Sequence, residues 1–121
     1  TGHLVLSTLH TRGTINSVSR IVDAFPADQQ DQIRSQLAAA LLGVVSQQLV
    51  PGTRPNTRCL ATEVLVATSA VKAFIRENRL HMGASVLQTS RADGMHTMKN
   101  SLDNLLAEEK ITQELHDSFM I

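Results

Sequence analysis

Two histidines near the start of the chain, His3 and His10, are the side chains with the clearest chemical potential. They stand at either end of residues 4–9, a nearly continuous apolar run that predicts a short strand covered on both faces. Ligands of α/β sheets bind where strands end, and a neutral imidazole there can donate a hydrogen bond to a phosphate oxygen or hold an attacking water. His10 either has such a role or only satisfies loop backbone. His3 is the weaker candidate, because bracing the start of the strand would be enough to explain it.

The elements that must position these histidines begin with two predicted helices. Thr14 or Asn16 can cap a first helix that runs towards Pro26, and a second, long helix follows from Asp28. Apolar residues at helical spacing form one face of this second helix. They are Ile33, Leu37, Leu41, Val44 and Val45.

A hairpin and a run of short helices are predicted for the rest of the chain. Turn-forming residues 51–56 separate two β-prone stretches, residues 45–50 and 58–66. After residue 67 the pattern becomes helical, and Thr112 is placed to cap a last short helix. The apolar positions of the preceding helices are Val71, Phe74 and Ile75, then residues 80–87, then Met95, Met98, Leu102, Leu105 and Leu106.

The composition excludes several classes of protein. The 121 residues carry 11 acidic and 11 basic side chains, three Phe, no Trp and no Tyr, so neither net charge nor stacking surfaces favour nucleic acid. The single Cys59 forms no internal disulfide and fits a reducing compartment. No apolar run approaches the roughly 20 residues of a membrane span, so no membrane insertion is expected. The chain opens directly into an apolar run without Met, which suggests a piece of a longer protein.

Residues 1–11, TGHLVLSTLHT, resemble nearly residue for residue the "His box" of the secretion ATPase superfamily. Three further segments resemble conserved stretches of the same proteins, in the same order along the chain. These are RIVDAFP at residues 20–26, LGVVSQQL at residues 42–49 and GMHTM at residues 94–98. The chain as a whole is thus similar to the PilT-type twitching-motility ATPases, the motors of type IV pilus retraction.

This resemblance implies an α/β fold and a role for the histidines. Residues 1–66 would supply the later strands and helices of a RecA-like ATPase core, and residues 67–121 an all-helical C-terminal domain. In the family, the histidine that corresponds to His10 lies close to the γ-phosphate and couples its loss to domain movement. His3 belongs to the same box, with a less clearly defined role.

A second motif, AVKAFIRE at residues 70–77, resembles the family's AIRNLIRE sequence, which is tied to pilus retraction. Ala70, Ile75, Arg76 and Glu77 match it, Val71 and Lys72 are conservative departures, and Ala73 and Phe74 replace Asn and Leu. Helical spacing predicts that Val71, Phe74 and Ile75 are buried and that Lys72, Arg76 and Glu77 face outward. The loss of the amide at residue 73 puts any polar contact by that residue in doubt.

The resemblance also implies partners and cofactors for a full-length parent protein. That parent would be a cytoplasmic homo-hexamer, peripheral to the inner membrane, docked on the platform protein of the pilus and dependent on ATP and Mg²⁺. The 121 residues contain no G-x-x-x-x-G-K-[ST] loop to bind phosphates, and no apolar strand ending in Asp or Glu (Walker B) precedes the His box. We therefore expect residues 1–121 alone to hold no cofactor and to be inactive.

Other candidate sites are weaker. Glu63 lies in an apolar stretch that can partly enclose its carboxylate, and two roles simpler than that of a catalytic base are pairing with Arg58 and pointing to solvent from an alternating strand. Cys59 and the five histidines lack the spacing of known metal sites, so no metal is predicted.

Two alternative functions stay open. Within the family, the parent could be a pilus-assembly or type II secretion ATPase, although these usually carry a tetracysteine zinc insertion that a single Cys59 cannot form. In another class, the chain could be a non-catalytic helical interaction module whose His box is a coincidence. A P-loop upstream of residue 1 would distinguish an ATPase of this family from a non-catalytic interaction module.

Overall fold

A two-stranded antiparallel hairpin organises the fold in the computed structural model, which describes residues 2–120. Strand β1 is Gly43–Pro51 and strand β2 is Arg58–Val66, paired from Gly43 opposite Val66 to Pro51 opposite Arg58. Helices α1 (Thr14–Asp23) and α2 (Gln30–Ala40) precede the hairpin, and α3 (Ser69–Arg76), α4 (Gly83–Thr89), α5 (Met98–Ala107) and α6 (Gln113–Ser118) follow it. Short 3-10 turns occur at Ala27–Gln29, Leu80–Met82 and Arg91–Asp93.

The predicted hairpin is confirmed. Its strands are rich in β-branched and apolar residues, and the loop between them closes with a hydrogen bond from Gly52 N to Thr57 O at 2.9 Å. Asn56 has a φ of 60°, a left-handed conformation that asparagine tolerates well in turns. Side chains alternate between the two faces of the hairpin, so Ala61 and Leu65 are buried while Leu60 is exposed.

Two hydrophobic clusters pack against the buried face of the hairpin, and β2 contributes to both. Leu65 belongs to the first cluster and Ala61 to the second. The first consists of Val18, Ala38, Leu65, Val71, Phe74, Ile75, Leu87 and Met95. The second consists of Val50, Ala61, Leu102 and Ile111. The first cluster contains residues from both sides of position 66. The proposed division into domains 1–66 and 67–121 stays a prediction.

The strand predicted over residues 4–9 is wrong. These residues have no regular structure, and Leu4, Val5 and Leu6 are 73%, 80% and 88% exposed. A strand needs a backbone partner, and β1 and β2, the strands of residues 2–120, pair with each other instead of with this segment. An apolar run that is suited to a sheet therefore lies in solvent here.

The second helix is shorter than predicted. It ends at Ala40, and Leu41 has an extended ψ of 132°, so Val44 and Val45 lie in β1 and not on a helix face. Valine is β-branched, and cross-strand pairing with β2 is available immediately after Gly43. The local helical spacing was real, but strand pairing overrides it at this point.

The predicted N-terminal caps of the helices are confirmed only in part. Thr112 caps α6 as predicted, since its hydroxyl accepts a hydrogen bond from Leu115 N at 3.1 Å. Neither Thr14 nor Asn16 caps α1, because Gly13 occupies the N-cap position and supplies no side chain. Within residues 2–120, no helix has the length and apolar character needed to cross a membrane.

Candidate functional site

His3 and His10 both lie exposed in the irregular segment that precedes α1. Hydrogen bonds hold the chain immediately after His10. Thr11 Oγ1 lies 2.6 Å from Ser17 Oγ, and Gly13 N donates to Ser46 Oγ at 3.0 Å. An exposed imidazole thus stands next to backbone that is fixed to α1 and to β1, which is a suitable arrangement for contacting a ligand held elsewhere.

The start of α1 is capped by Glu63, which reaches it from β2. Glu63 Oε1 accepts from Thr14 N at 2.9 Å and from Thr14 Oγ1 at 2.8 Å. Its second oxygen, Oε2, accepts from Met98 N at 3.3 Å, at the start of α5. One carboxylate therefore caps two helices.

Glu63 is partly enclosed, as expected, but both simpler roles are wrong, since it neither pairs with Arg58 nor points to solvent. Its position in β2 explains this. Residues 61, 63 and 65 share one face of the strand, and Ala61 and Leu65 on that face are buried. This period of two was the signal that could have placed Glu63 on the inner face.

The residues on either side of Glu63 bind the segment that leads into α5. Val64 and His96 exchange two backbone hydrogen bonds, of 3.0 and 3.3 Å. Thr62 Oγ1 lies 2.8 Å from His96 Nε2, and Thr62 N donates to Ser101 Oγ at 3.0 Å. The centre of β2 is consequently attached, through three consecutive residues, to α5 and to the segment that leads into it.

The second predicted motif forms helix α3 and its C-cap. Thr68 caps the helix, with its hydroxyl accepting from Val71 N at 3.4 Å. The predicted faces are confirmed for the apolar residues, because Val71, Phe74 and Ile75 are buried in the first cluster.

The polar side of the motif is less uniform. Arg76 and Glu77 are exposed, as is Ala70, whereas Lys72 is half-buried. Glu77 Oε2 lies 3.8 Å from Arg79 Nε. This ion pair is exposed and therefore weak. The outward face is therefore confirmed for Arg76 and Glu77 and only in part for Lys72.

The His box and the motif are connected through α1. This helix begins four residues after His10, and its Val18 packs in the same cluster as Val71, Phe74 and Ile75. In the part of the chain from 2 to 120, no three His, Cys, Asp or Glu side chains converge as a metal site would require.

Comparison with known proteins assigns a family. The family model for type II/IV secretion system proteins matches residues 1–115. A twitching motility protein of Neisseria gonorrhoeae is 46% identical over 114 residues, which cover 94% of this chain and 30% of that protein. The type IV pilus retraction ATPase PilT of Pseudomonas aeruginosa is 37% identical, with 94% of this chain and 33% of that protein covered.

The fold agrees with these similarities. The crystal structure of the pilus retraction motor PilT with bound ADP superposes with a TM-score of 0.84 at 40% identity, covering 96% of this chain and 32% of that one. The α/β class is thereby confirmed, and the chain spans about a third of the length of these relatives. The chain belongs to the type II/IV secretion system protein family and is of the PilT type within it.

Proposed function

We propose that this chain supplies the His box and the C-terminal part of a motor ATPase that powers type IV pilus retraction. The observation that carries the proposal is the likeness to a solved pilus retraction motor over 96% of the chain, at 40% identity. In this proposal, residues 1–66 complete a RecA-like core and residues 67–121 form a helical C-terminal domain.

His10 is proposed to sense the γ-phosphate. Its imidazole is exposed, and the backbone that follows is held by Ser46 and Glu63. The side chain can therefore contact a phosphate oxygen without the entropy cost of first fixing this backbone. Of a complete nucleotide site, the described residues could supply only the histidine that contacts the γ-phosphate. They include no G-x-x-x-x-G-K-[ST] loop, so ATP and Mg²⁺ would be bound by other parts of the protein.

Helix α3 is proposed to transmit movement after hydrolysis. Its buried residues Val71, Phe74 and Ile75 share a cluster with Val18 of α1, and α1 begins just after His10. A shift of the His box can therefore reach the exposed side chains of Arg76 and Glu77 through packed neighbours. The assembled motor would be a homo-hexamer in the cytoplasm, docked on the inner-membrane platform protein.

The test is His10→Ala in the full-length protein that carries this chain. We expect ATP turnover to fall by well over tenfold, the scale of losing a contact that forms in the transition state. His81→Ala is the matched control, because His81 is exposed on the turn after α3 and should leave turnover unchanged. Unchanged turnover in the His10 variant would refute the sensing role.

Retraction and assembly are separated by the phenotype of cells that lack the protein. Cells that still make pili but do not twitch would support retraction. Cells without pili would support the assembly ATPase instead. Restoring the wild-type protein in the same cells controls for secondary mutations.

A further inference from the structure

We infer that Glu63 is a positioning residue for His10, holding the end of the His box in a fixed relation to helix α5. The inference rests on the proposed function, in which His10 contacts the γ-phosphate. Glu63 touches no reacting atom in this scheme and acts through the backbone of Thr14.

The first support is the way one carboxylate divides its two oxygens. Oε1 binds the amide and the hydroxyl of Thr14, and Oε2 binds the amide of Met98. Each amide belongs to the first residue of a ten-residue helix, where backbone N–H groups lack partners within the helix. A negative charge is favourable there, and hydrogen bonds to a charged acceptor are stronger than neutral ones.

The second support is the surroundings of this carboxylate. Thr14, Ser17 and Ser46 are 0%, 6% and 7% exposed, so together with Glu63 they form a largely buried polar group, here called the anchor cluster. Ser17 Oγ donates to Gly13 O at 2.9 Å, which closes the cluster around the loop. Among residues 2–120, every fully buried side-chain nitrogen or oxygen has a hydrogen-bond partner. The anchor cluster therefore fixes the backbone at Gly13 and Thr14, between His10 and the body of α1.

The third support is the attachment of β2 to α5 on both sides of Glu63. Thr62 and Val64 bind His96, and Thr62 also binds Ser101 within α5. Glu63 must consequently move with the start of α5. Because the same side chain holds Thr14, four residues after His10, a displacement of α5 changes the position of the His box.

The test is Glu63→Gln in the full-length protein. Glutamine has the same shape, but its amide group places a donor against either Thr14 N or Met98 N, so one of the two helix caps is lost. We expect kcat for ATP hydrolysis to fall about tenfold, while KM for ATP changes by less than about twofold. Glu114→Gln is the matched control, since Glu114 is exposed on α6 and should leave both constants unchanged.

A double variant distinguishes positioning from a merely structural effect. If Glu63 acts through His10, adding Glu63→Gln to His10→Ala should slow turnover no further. Losses that multiply in the double variant would show that the two residues act independently and would overturn the inference. A normal kcat in Glu63→Gln alone would overturn it as well.

The failure of the inference and that of the proposed function give different results. Slow turnover in His10→Ala together with normal turnover in Glu63→Gln leaves the proposed function standing and removes only the inference. Unchanged turnover in His10→Ala removes the sensing role itself. Should Glu63→Gln not fold, Thr14→Val deletes only the hydroxyl contact with Glu63, and the inference then requires a loss of about threefold in kcat.

Discussion

His116 of α6 is joined to Asp103 of α5, with Nε2 of the imidazole 2.6 Å from Oδ1 of the carboxylate. The other ring nitrogen, Nδ1, lies 3.1 Å from Asp117 Oδ1, and the residue is buried. The hydrogen bond to Asp103, followed by that to Asp117, raises the pKa of His116 above its ordinary value of 6.5. The pKa of Asp103 is lowered, first by its hydrogen bond with Lys99 and then by that with His116. This group of charges links the last two helices.

The link predicts a stability that depends on pH. Because the folded-state pKa of His116 is raised, its contribution is complete below pH 6.5 and is lost as the pH rises through the folded-state value. The lowered pKa of Asp103 acts in the opposite direction, so its contribution is lost as the pH falls below 3.8. We expect the free energy of unfolding to decrease as the pH rises above 6.5, measured by urea denaturation.

Two variants check the origin of this dependence. His116→Gln should flatten the decrease above pH 6.5, because no group with a raised pKa then remains in the link. His81→Gln changes an exposed histidine and should retain the wild-type profile. An unaltered profile in His116→Gln would contradict the assignment.

The outer face of the hairpin predicts association of the isolated chain. Leu49 and Leu60 are directly paired across the strands and are 60% and 50% exposed, with the exposed Val45 on the same face. Exposed apolar side chains clustered on one face favour association between proteins. We expect the 121-residue chain to self-associate with rising concentration in sedimentation velocity, and Leu49→Gln combined with Leu60→Gln to shift it towards the monomer.

A polar position on the same strand provides the control. Gln47 is exposed in β1, and Gln47→Ser should leave the association unchanged. If the leucine variants associate as strongly as the wild type, the hairpin face is not responsible, and the exposed residues 4–9 become the surface to alter next.

Phe74 is predicted to be a main support of the first hydrophobic cluster. It is 2% exposed and packs in the cluster that joins α1, α2, α3 and β2. Phe74→Ala should reduce the free energy of unfolding by about 3–5 kcal/mol through lost burial and a residual cavity. Phe25, at 38% exposed, offers a matched change, and Phe25→Ala should cost about 1 kcal/mol. Equal losses in urea denaturation of the two variants would contradict this assignment of the core.

Local features of the fold could be predicted from the sequence. The hairpin follows from β-prone stretches around a turn, and the burial of Val71, Phe74 and Ile75 follows from their spacing on a helix. The cap at Thr112 depends on residues three positions apart. Each of these features depends mainly on residues that are close together in the sequence. Sequence patterns predict structure best over this short range.

Features that depend on distant partners could not be predicted in this way. The carboxylate of Glu63 meets Thr14 and Met98, which lie 49 and 35 residues away along the chain. Residues 4–9 have a strand-like composition, but composition does not provide the backbone partner that a strand needs. The proposed role of His10 rests on resemblance, because an exposed histidine in a loop is not distinctive by itself.

The double cap formed by Glu63 has a consequence for sequence variation. Thr14 and Met98 each occupy the first position of a helix, where proline is ordinarily favoured because its missing N–H would have no partner in the helix. Here both N–H groups have a partner, so proline at either position would remove a hydrogen bond to a carboxylate. Relatives that retain glutamate at position 63 should therefore exclude proline at positions 14 and 98. At position 98 the cap itself needs only a backbone N–H, whereas the packing of the Met98 side chain against the second cluster should restrict that position to apolar residues.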